Sequence, residues 1–342
     1  MSYRRLVLIT AIIAVLSILL PGRRDSEAGP TGPHAQVRVG LVMDVGGRGD
    51  KSFNDAAFEG LERAKRELGV TVELIEPAGA EDREAALRLF AARGFDLIFG
   101  VGFIFSTDIN VAARDFPTAR FACVDYSPPR DGSAPPPNVL GLGFREEQGS
   151  FLVGAVAGLM TESRHVGFVG GMDIPLIHRF EAGFRAGALH VCGDCRVHVG
   201  YAGTTPDAFR DPAKGKAVAI SQISAGADII YHAAGTTGHG VFEAARDMGA
   251  LAIGVDADQH DEMPGTVVTS MVKRVDVAVF QTIRELTVGR FDGGLRSFGV
   301  AEGGVSYVSE GPHAAGIPQE VKKRVAELQA ELARGAIEVP RK

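Results

Sequence analysis

Hydrophobic residues recur along this chain in two patterns: short apolar runs, alternating or continuous, and longer stretches with apolar positions three and four apart. The first pattern reads as strand and the second as amphipathic helix. A clean pair of the two opens at residues 37–69, VRVGLVMDVGGRGDKSFNDAAFEGLERAKRELG. Val37, Val39, Leu41 and Met43 alternate with other residues and predict a strand that delivers Asp44 to its carboxyl end. After a loop of glycines and charges, Phe53, Ala56, Ala57, Gly60, Leu61, Ala64 and Leu68 fall on one face of a helix. Ser52 stands at the N-cap position, and Asp55 three residues on completes an S-x-x-D capping pattern. Phe53 and Asn54 therefore open a helix beside the end of a strand, the corner where open α/β sheets bind ligands.

The alternation continues. Strands are predicted at 70–75, 95–101 and 120–125, helices at 82–92 and 108–115, and a surface loop at 128–137. The pattern then restarts with a small-residue-rich helix at 146–160, which suits close packing on a neighbour. Strands at 165–170, 196–202, 228–233 and 251–256 follow, with helices at 177–190, within 212–226 and at 241–248. Beyond them come a strand at 266–271, a helix at 276–286, a short strand at 306–308 and an amphipathic helix at 319–334. Strand and helix alternating in this way imply parallel sheets with right-handed crossovers, and two successive units of similar size imply two lobes.

Charge removes one class of function. A net charge of −6 and a pI near 5.9 argue against nucleic-acid binding as the main task. The N-terminus reads as a targeting segment: Arg4 and Arg5 precede an apolar run at 6–20 that Pro21 and Gly22 interrupt, too short for a spanning helix and suited to a secretory h-region. Ser26, Glu27 and Ala28 offer a cleavage site, whereas Arg23, Arg24 and Asp25 ahead of it leave an uncleaved anchor open. Residues 1–36 are thus signal or anchor plus linker, and no spanning segment follows them.

The glycine loop at 45–51 has neither the GxxxxGK(S/T) nor the GxGxxG order of phosphate and dinucleotide loops. A carboxylate, a ring and a carboxamide close together suit a neutral, flat, hydrogen-bonding ligand. Other predicted strand ends carry Gly102, Asp125, Gly170, Gly235 and Asp256. Singly, each Asp reads as a loop cap; together at one sheet edge they read as hydroxyl acceptors, catalytic carboxylates or metal ligands. HExxH, HxxxH, EF-hand and GxSxG orders are absent, so neither metal nor cofactor is expected. Phe53 and Phe180 can sandwich a flat ligand from opposite lobes, although Phe180 also reads as a core residue beside Phe184. Lys273, in SMVKRVD after the 266–271 strand, can donate to a ribose hydroxyl alongside Asp256, or simply sit solvated at a helix start. Cys192 and Cys195 form a CxxC that can be a disulfide, a redox pair or half a metal site; following a helix and lacking a second CxxC, it is expected to close a turn as a disulfide. Cys123, in an apolar strand, reads as a buried free thiol.

The DVGGRGDKSFN run resembles the opening motif of the basic membrane protein family, substrate-binding proteins of ABC transporters that include the purine nucleoside receptor A type. ACVDYS, GGMDIP with FEAGF, AAGTTGHGVFEAA, GVDADQ and TSMVK extend the resemblance over most of the chain. It implies a type I periplasmic-binding fold, two doubly wound parallel sheets joined by three hinge strands, with crossings near 140–146, 258–266 and 293–304. The first lobe would be 37–142 plus 264–292, and the second 143–263 plus 293–342. By motif match it assigns ligand contacts to Asp44, Phe53, Asn54, Asp125, Phe180, Gly235, Asp256 and Lys273. It implies a purine nucleoside as ligand, an ABC permease as partner, a monomer, a periplasmic or cell-envelope location and no catalysis. The family's lipobox cysteine is missing after the apolar run, so a lipid anchor is not expected. Competing readings are another small polar ligand such as a sugar or signalling compound, a sensor for a membrane receptor, and a nucleoside-processing enzyme using paired Asp residues. Lys51 matches the motif strongly without a physical role of its own.

Overall fold

In a computed structural model of the chain, residues 36–129 and 131–342 are described, the side chain of Ala80 excepted. The export, cleavage and anchor expectations fall on the first 35 residues and lie outside this range. In chain order the first strands are β1 (Arg38–Val42), β2 (Thr71–Ile75), β3 (Leu97–Val101), β4 (Arg120–Val124) and β5 (Val139–Phe144). Next come β6 (His165–Met172), β7 (Arg196–Gly203), β8 (Ile229–Ala233), β9 (Leu251–Asp256) and β10 (Val267–Lys273), then β11 (Gly294–Phe298) and β12 (Val305–Tyr307). The helices are α1 (Phe53–Leu68), α2 (Ala80–Ala92), α3 (Ser106–Asp115), α4 (Glu146–Met160), α5 (Pro175–Val191), α6 (Pro212–Ser224), α7 (Gly238–Met248), α8 (Val275–Thr287) and α9 (Gln319–Ala333).

Among the described residues the strands form two six-stranded sheets, ordered β2-β1-β3-β4-β5-β11 and β7-β6-β8-β9-β10-β12. All pairings are parallel except β12 on β10. Central strands such as LIFGV of β3 and IIYHA of β8 are buried along their whole length, as parallel strands covered on both faces must be. The strand order reverses between β1 and β3 in one lobe and between β6 and β8 in the other, and these two switch points face one cleft.

Helix packing follows the small residues. Gly154 of α4 lies against the Phe184 carbonyl of α5, while Gly183 and Gly187 of α5 lie against the Glu147 and Phe151 carbonyls of α4. A methyl at any of the three would collide with backbone. This is the close packing that the 146–160 pattern predicted. Cys192 and Cys195 are joined in the turn between α5 and β7, and Cys123 is a buried free thiol.

Three expectations need correction. The strand within 264–292, β10, belongs to the second sheet, where it pairs in parallel with β9; β11, within 293–342, belongs to the first sheet beside β5. The middle crossing accordingly lies at 273–275, between β10 and α8, and not near 258–266: VVTSMVK completes the second sheet before the chain returns to pack α8 on α1. The other crossings lie between Phe144 and Glu146 and between Phe298 and Val305. The three run side by side, tied by Arg145 N–H to Phe298 O and Arg274 N–H to Gly304 O, each 2.9 Å.

The third correction concerns the cap of α1. Ser52 makes no capping bond with its side chain. Asp50 does that work, accepting from the N–H groups of Ser52 (3.0 Å), Asn54 (2.8 Å) and Asp55 (3.1 Å). Asp55 instead braces the loop, accepting from Gly49 and Lys51 N–H. Asp50, buried two residues ahead of Ser52, reaches the free helix amides first.

Candidate functional site

The switch points of both sheets open on one cleft. All eight residues assigned by motif match line it: Asp44, Phe53, Asn54 and Asp125 from the first lobe, and Phe180, Gly235, Asp256 and Lys273 from the second. Asp50, Gly102, Leu176, Ile177, Phe209 and Thr236 also line it and were not among those eight.

Lys273 is the last residue of β10 and sits at the middle crossing, 2% exposed. Its Nζ donates to Asp125 Oδ2 across the lobes at 2.8 Å and stands 3.7 Å from Asp256 Oδ1. Asp256, which the sequence grouped with Lys273 around a ribose hydroxyl, is thus the more distant of the two carboxylates. Burial alone would push the ammonium's pKa down, but Asp125, Asp256 and Glu146 outweigh it and hold the pKa up. Burial raises the pKa of Asp256, against the pull of Lys273. The Phe53, Phe144 and Phe180 ring centroids lie 4.6, 5.4 and 5.5 Å from the same ammonium. Such cation–π contacts strengthen away from water.

Asp125, just past β4, and Asp256, the last residue of β9, have φ of 58° and 66°, the left-handed region that a non-glycine residue enters at a cost of roughly 1–2 kcal/mol. Both strained residues turn into the cleft, the usual place for retained backbone strain. Asp125 Oδ1 is buried without a hydrogen-bond partner among the described residues.

Asp44 forms the opposite wall. Its N–H donates to Asn54 Oδ1 at 3.0 Å, and its Oδ1 accepts from Val45 N–H at 2.6 Å. Asn54 also donates from Nδ2 to Asp50 Oδ2 at 3.1 Å, so part of its amide is spent on the scaffold. Burial pushes the Asp44 carboxyl up to about 7. Behind it Gly102 adopts φ of 105°, and a Cβ there would collide with the Asp44 carboxylate. Gly102→Ala is therefore expected to displace Asp44, destabilise the fold by about 1–3 kcal/mol through the strained positive-φ extended backbone alone, and weaken ligand binding about tenfold. Calorimetry on the variant checks this; wild-type affinity would show that Asp44 is free to move.

No group of three or more His, Cys, Asp or Glu placed to hold a metal occurs among the described residues. Of the residues missed, Asp50 could have been read from an Asp two positions before Ser52. Phe209 could not: it ends a 3-10 turn, Pro206–Phe209, with no periodicity to reveal it.

The arrangement offers two rings from opposite lobes, a buried ammonium flanked by carboxylates, and a carboxyl–carboxamide wall. A family profile described as ABC transporter substrate-binding protein PnrA-like (Bmp) matches residues 37–341. The chain belongs to the Bmp family. It is an ABC transporter substrate-binding protein, a class that works outside the cytoplasmic membrane with a membrane transporter as partner. The ABC transporter nucleoside-binding protein BmpA of Lactococcus lactis is 30% identical over 363 residues, covering 99% of each chain. A protein of Pyrococcus horikoshii named as an uncharacterized lipoprotein is 36% identical over 281 residues, covering 79% of this chain and 68% of that one. A solved ABC transporter solute-binding protein from Aeropyrum pernix superposes with a TM-score of 0.79 at 31% identity, covering 90% of this chain and 94% of that one. The superposition on this solute-binding protein, together with the two parallel sheets, establishes the two-lobed type I fold. With a lipoprotein among the relatives, the missing lipobox cysteine does not decide against a membrane tether for this Bmp protein.

Proposed function

We propose that this Bmp protein captures a purine nucleoside between its lobes and hands it to an ABC permease. One observation carries the reading: Phe53 and Phe180, rings from opposite lobes, both face the buried ammonium of Lys273, which itself bonds Asp125. A base slotted between the rings gains roughly 1–3 kcal/mol per stacked face. Ribose hydroxyls can then donate to Asp125 and Asp256 and accept from Lys273. Asp44 and Asn54 provide hydrogen bonds to the base edge, and Gly235, at φ of 54°, brings second-lobe backbone close to the ligand. The name of the Lactococcus relative supports the same class of ligand. Closure about the three crossings completes these contacts, and the ligand favours the closed form only through contacts it makes better there. The protein works as a monomer, exported by its N-terminal segment and either released or held at the membrane.

Melting curves with inosine, guanosine, adenosine, their 5′-monophosphates and a panel of sugars test the reading. At 100 times its dissociation constant a nucleoside should stabilise the protein by about 2.7 kcal/mol. The 5′-monophosphates should bind at least tenfold more weakly, because Asp125 and Asp256 outnumber Lys273 in charge. The free base should not accumulate during incubation. A sugar that stabilises where no nucleoside does would overturn the ligand assignment, and base release would overturn the transport role.

A further inference from the structure

Lys51, strongly matched in sequence, has an exposed side chain and does not line the cleft. Its main chain is the unusual part, with φ of 51°. Its N–H donates to Asp55 at 3.1 Å, which holds the turn, and its carbonyl accepts from Gln259 Nε2 of the other lobe at 3.2 Å. One residue further, Ser52 Oγ reaches across to Asp256 Oδ2 at 2.9 Å and to Val255 O at 3.2 Å. Ser52 is fully buried and Gln259 is 4% exposed, so water competes poorly for these bonds.

Gln259 is held ready by its own lobe. Its N–H donates to Ser270 Oγ at 3.0 Å, and its Oε1 accepts from Val255 N–H at 2.8 Å and from His232 Nε2 at 3.1 Å. A backbone N–H can only donate, so the oxygen must face Val255 and the amide NH₂ must face the first lobe. Gly254 leaves the room for this, since a Cβ there would press on Gln259 Oε1 at 2.8 Å.

We infer that Lys51 and Ser52 of the first lobe and Asp256 and Gln259 of the second form a closing latch, which adds protein–protein hydrogen bonds to lobe closure and orients the Asp256 carboxylate from the opposite lobe. The latch rests on the reading of the cleft as one that closes over a nucleoside, but its bonds contain no ligand atom. It therefore biases the lobes toward closure before ligand arrives and slows departure afterwards. Lys51 acts through its carbonyl alone. Ser52 and Gln259 are positioning residues.

Three variants separate the latch from a merely structural role. Ser52→Ala removes one donor. Gln259→Glu keeps the Oε1 acceptor for Val255 and His232 but sets a carboxylate oxygen against the Lys51 carbonyl. Lys51→Ala leaves the main chain intact. Two quantities are read: the dissociation rate of inosine by stopped flow, and the interlobe separation of the ligand-free protein by spin labels at the exposed sites Lys65→Cys and Lys214→Cys. Ser52→Ala and Gln259→Glu should each raise the dissociation rate about tenfold, the effect of losing one hydrogen bond, and shift the ligand-free lobes away from the closed separation. Their ligand-free melting temperatures should stay within about 2 °C of wild type, and Lys51→Ala should leave the dissociation rate within twofold. Unchanged separations and rates overturn the latch, as does a ligand-free melting loss as large as the ligand-bound one, or a Lys51→Ala effect as large as that of Ser52→Ala. Should wild type bind no nucleoside, the ligand reading fails while the separations still decide the latch.

Discussion

Lys273→Met is expected to abolish detectable nucleoside binding and to lower stability by about 3–5 kcal/mol at pH 8, the cost of removing one member of a buried ion pair. Methionine fills the same volume, so the loss arises from charge. Asp125 and Asp256, 5% and 9% exposed at their side chains, would face each other across the cleft without the ammonium that now stands between them. For this size of chain the melting temperature should fall by roughly 10 °C. The pH dependence identifies the cause. A stranded buried carboxylate has a folded-state pKa above its unfolded value, so the folded state binds the extra proton and stability rises as pH falls through that raised value. The gap between variant and wild type should therefore shrink from pH 8 to pH 5. Adding Asp125→Asn and Asp256→Asn should recover most of the stability without recovering binding. A Lys273→Met protein that melts within 2 °C of wild type at pH 8 would show that the cleft is wet enough to screen both carboxylates.

Lys273 also shows where sequence reading reaches its limit. Its charge and its place after an apolar run were legible, and so was an acidic strand end for it to meet. Which acid it meets was not, because Asp125 lies 148 positions away and the pairing depends on how the lobes abut. The lobe to which β10 belongs was hidden for a related reason: VVTSMVK is an apolar run that suits the interior of either sheet, and only its register on β9 decides. β11 escaped because it is an edge strand, GLRSF, whose pattern is broken by Leu295 standing 61% exposed. The long amphipathic helices were legible because one-sided burial imposes a period on them, and the doubly buried strands because burial on both faces makes a continuous apolar run. The eight cleft residues were legible because strand ends and motifs mark them. The α1 cap was misread because three capping side chains, Asp50, Ser52 and Asp55, crowd into six positions, and local rules do not say that Ser52 is taken up by the other lobe.

Asp44→Asn is expected to change the pH dependence of stability more than stability itself. In the folded protein burial pushes the Asp44 carboxyl up to about 7, with the Val45 N–H pulling it down, Asp125 pushing it up and Arg83 pulling it down. In the unfolded chain it returns to about 4. Between these values the folded state holds a proton that the unfolded state has lost, so this group makes stability fall as pH rises from about 4 to about 7 and leaves it flat beyond. The full difference would reach about 4 kcal/mol; Asp44 is only half-buried at the cleft wall, and water entering there should reduce it to about 2 kcal/mol. Asparagine keeps the oxygen that accepts from Val45 and has no proton to lose. Urea unfolding at pH 3.5, 5, 6, 7 and 8 should thus show the variant gaining on wild type by about 2 kcal/mol from the first pH to the last, with little change above pH 7.5. Parallel curves would mean that Asp44 is ionised throughout. The same window bears on binding, since below pH 7 the neutral carboxyl both donates and accepts, whereas above it the carboxylate only accepts. Wild-type affinity for inosine that falls through pH 7, and stays level in Asp44→Asn, would place a hydrogen-bond acceptor of the base against the Asp44 proton.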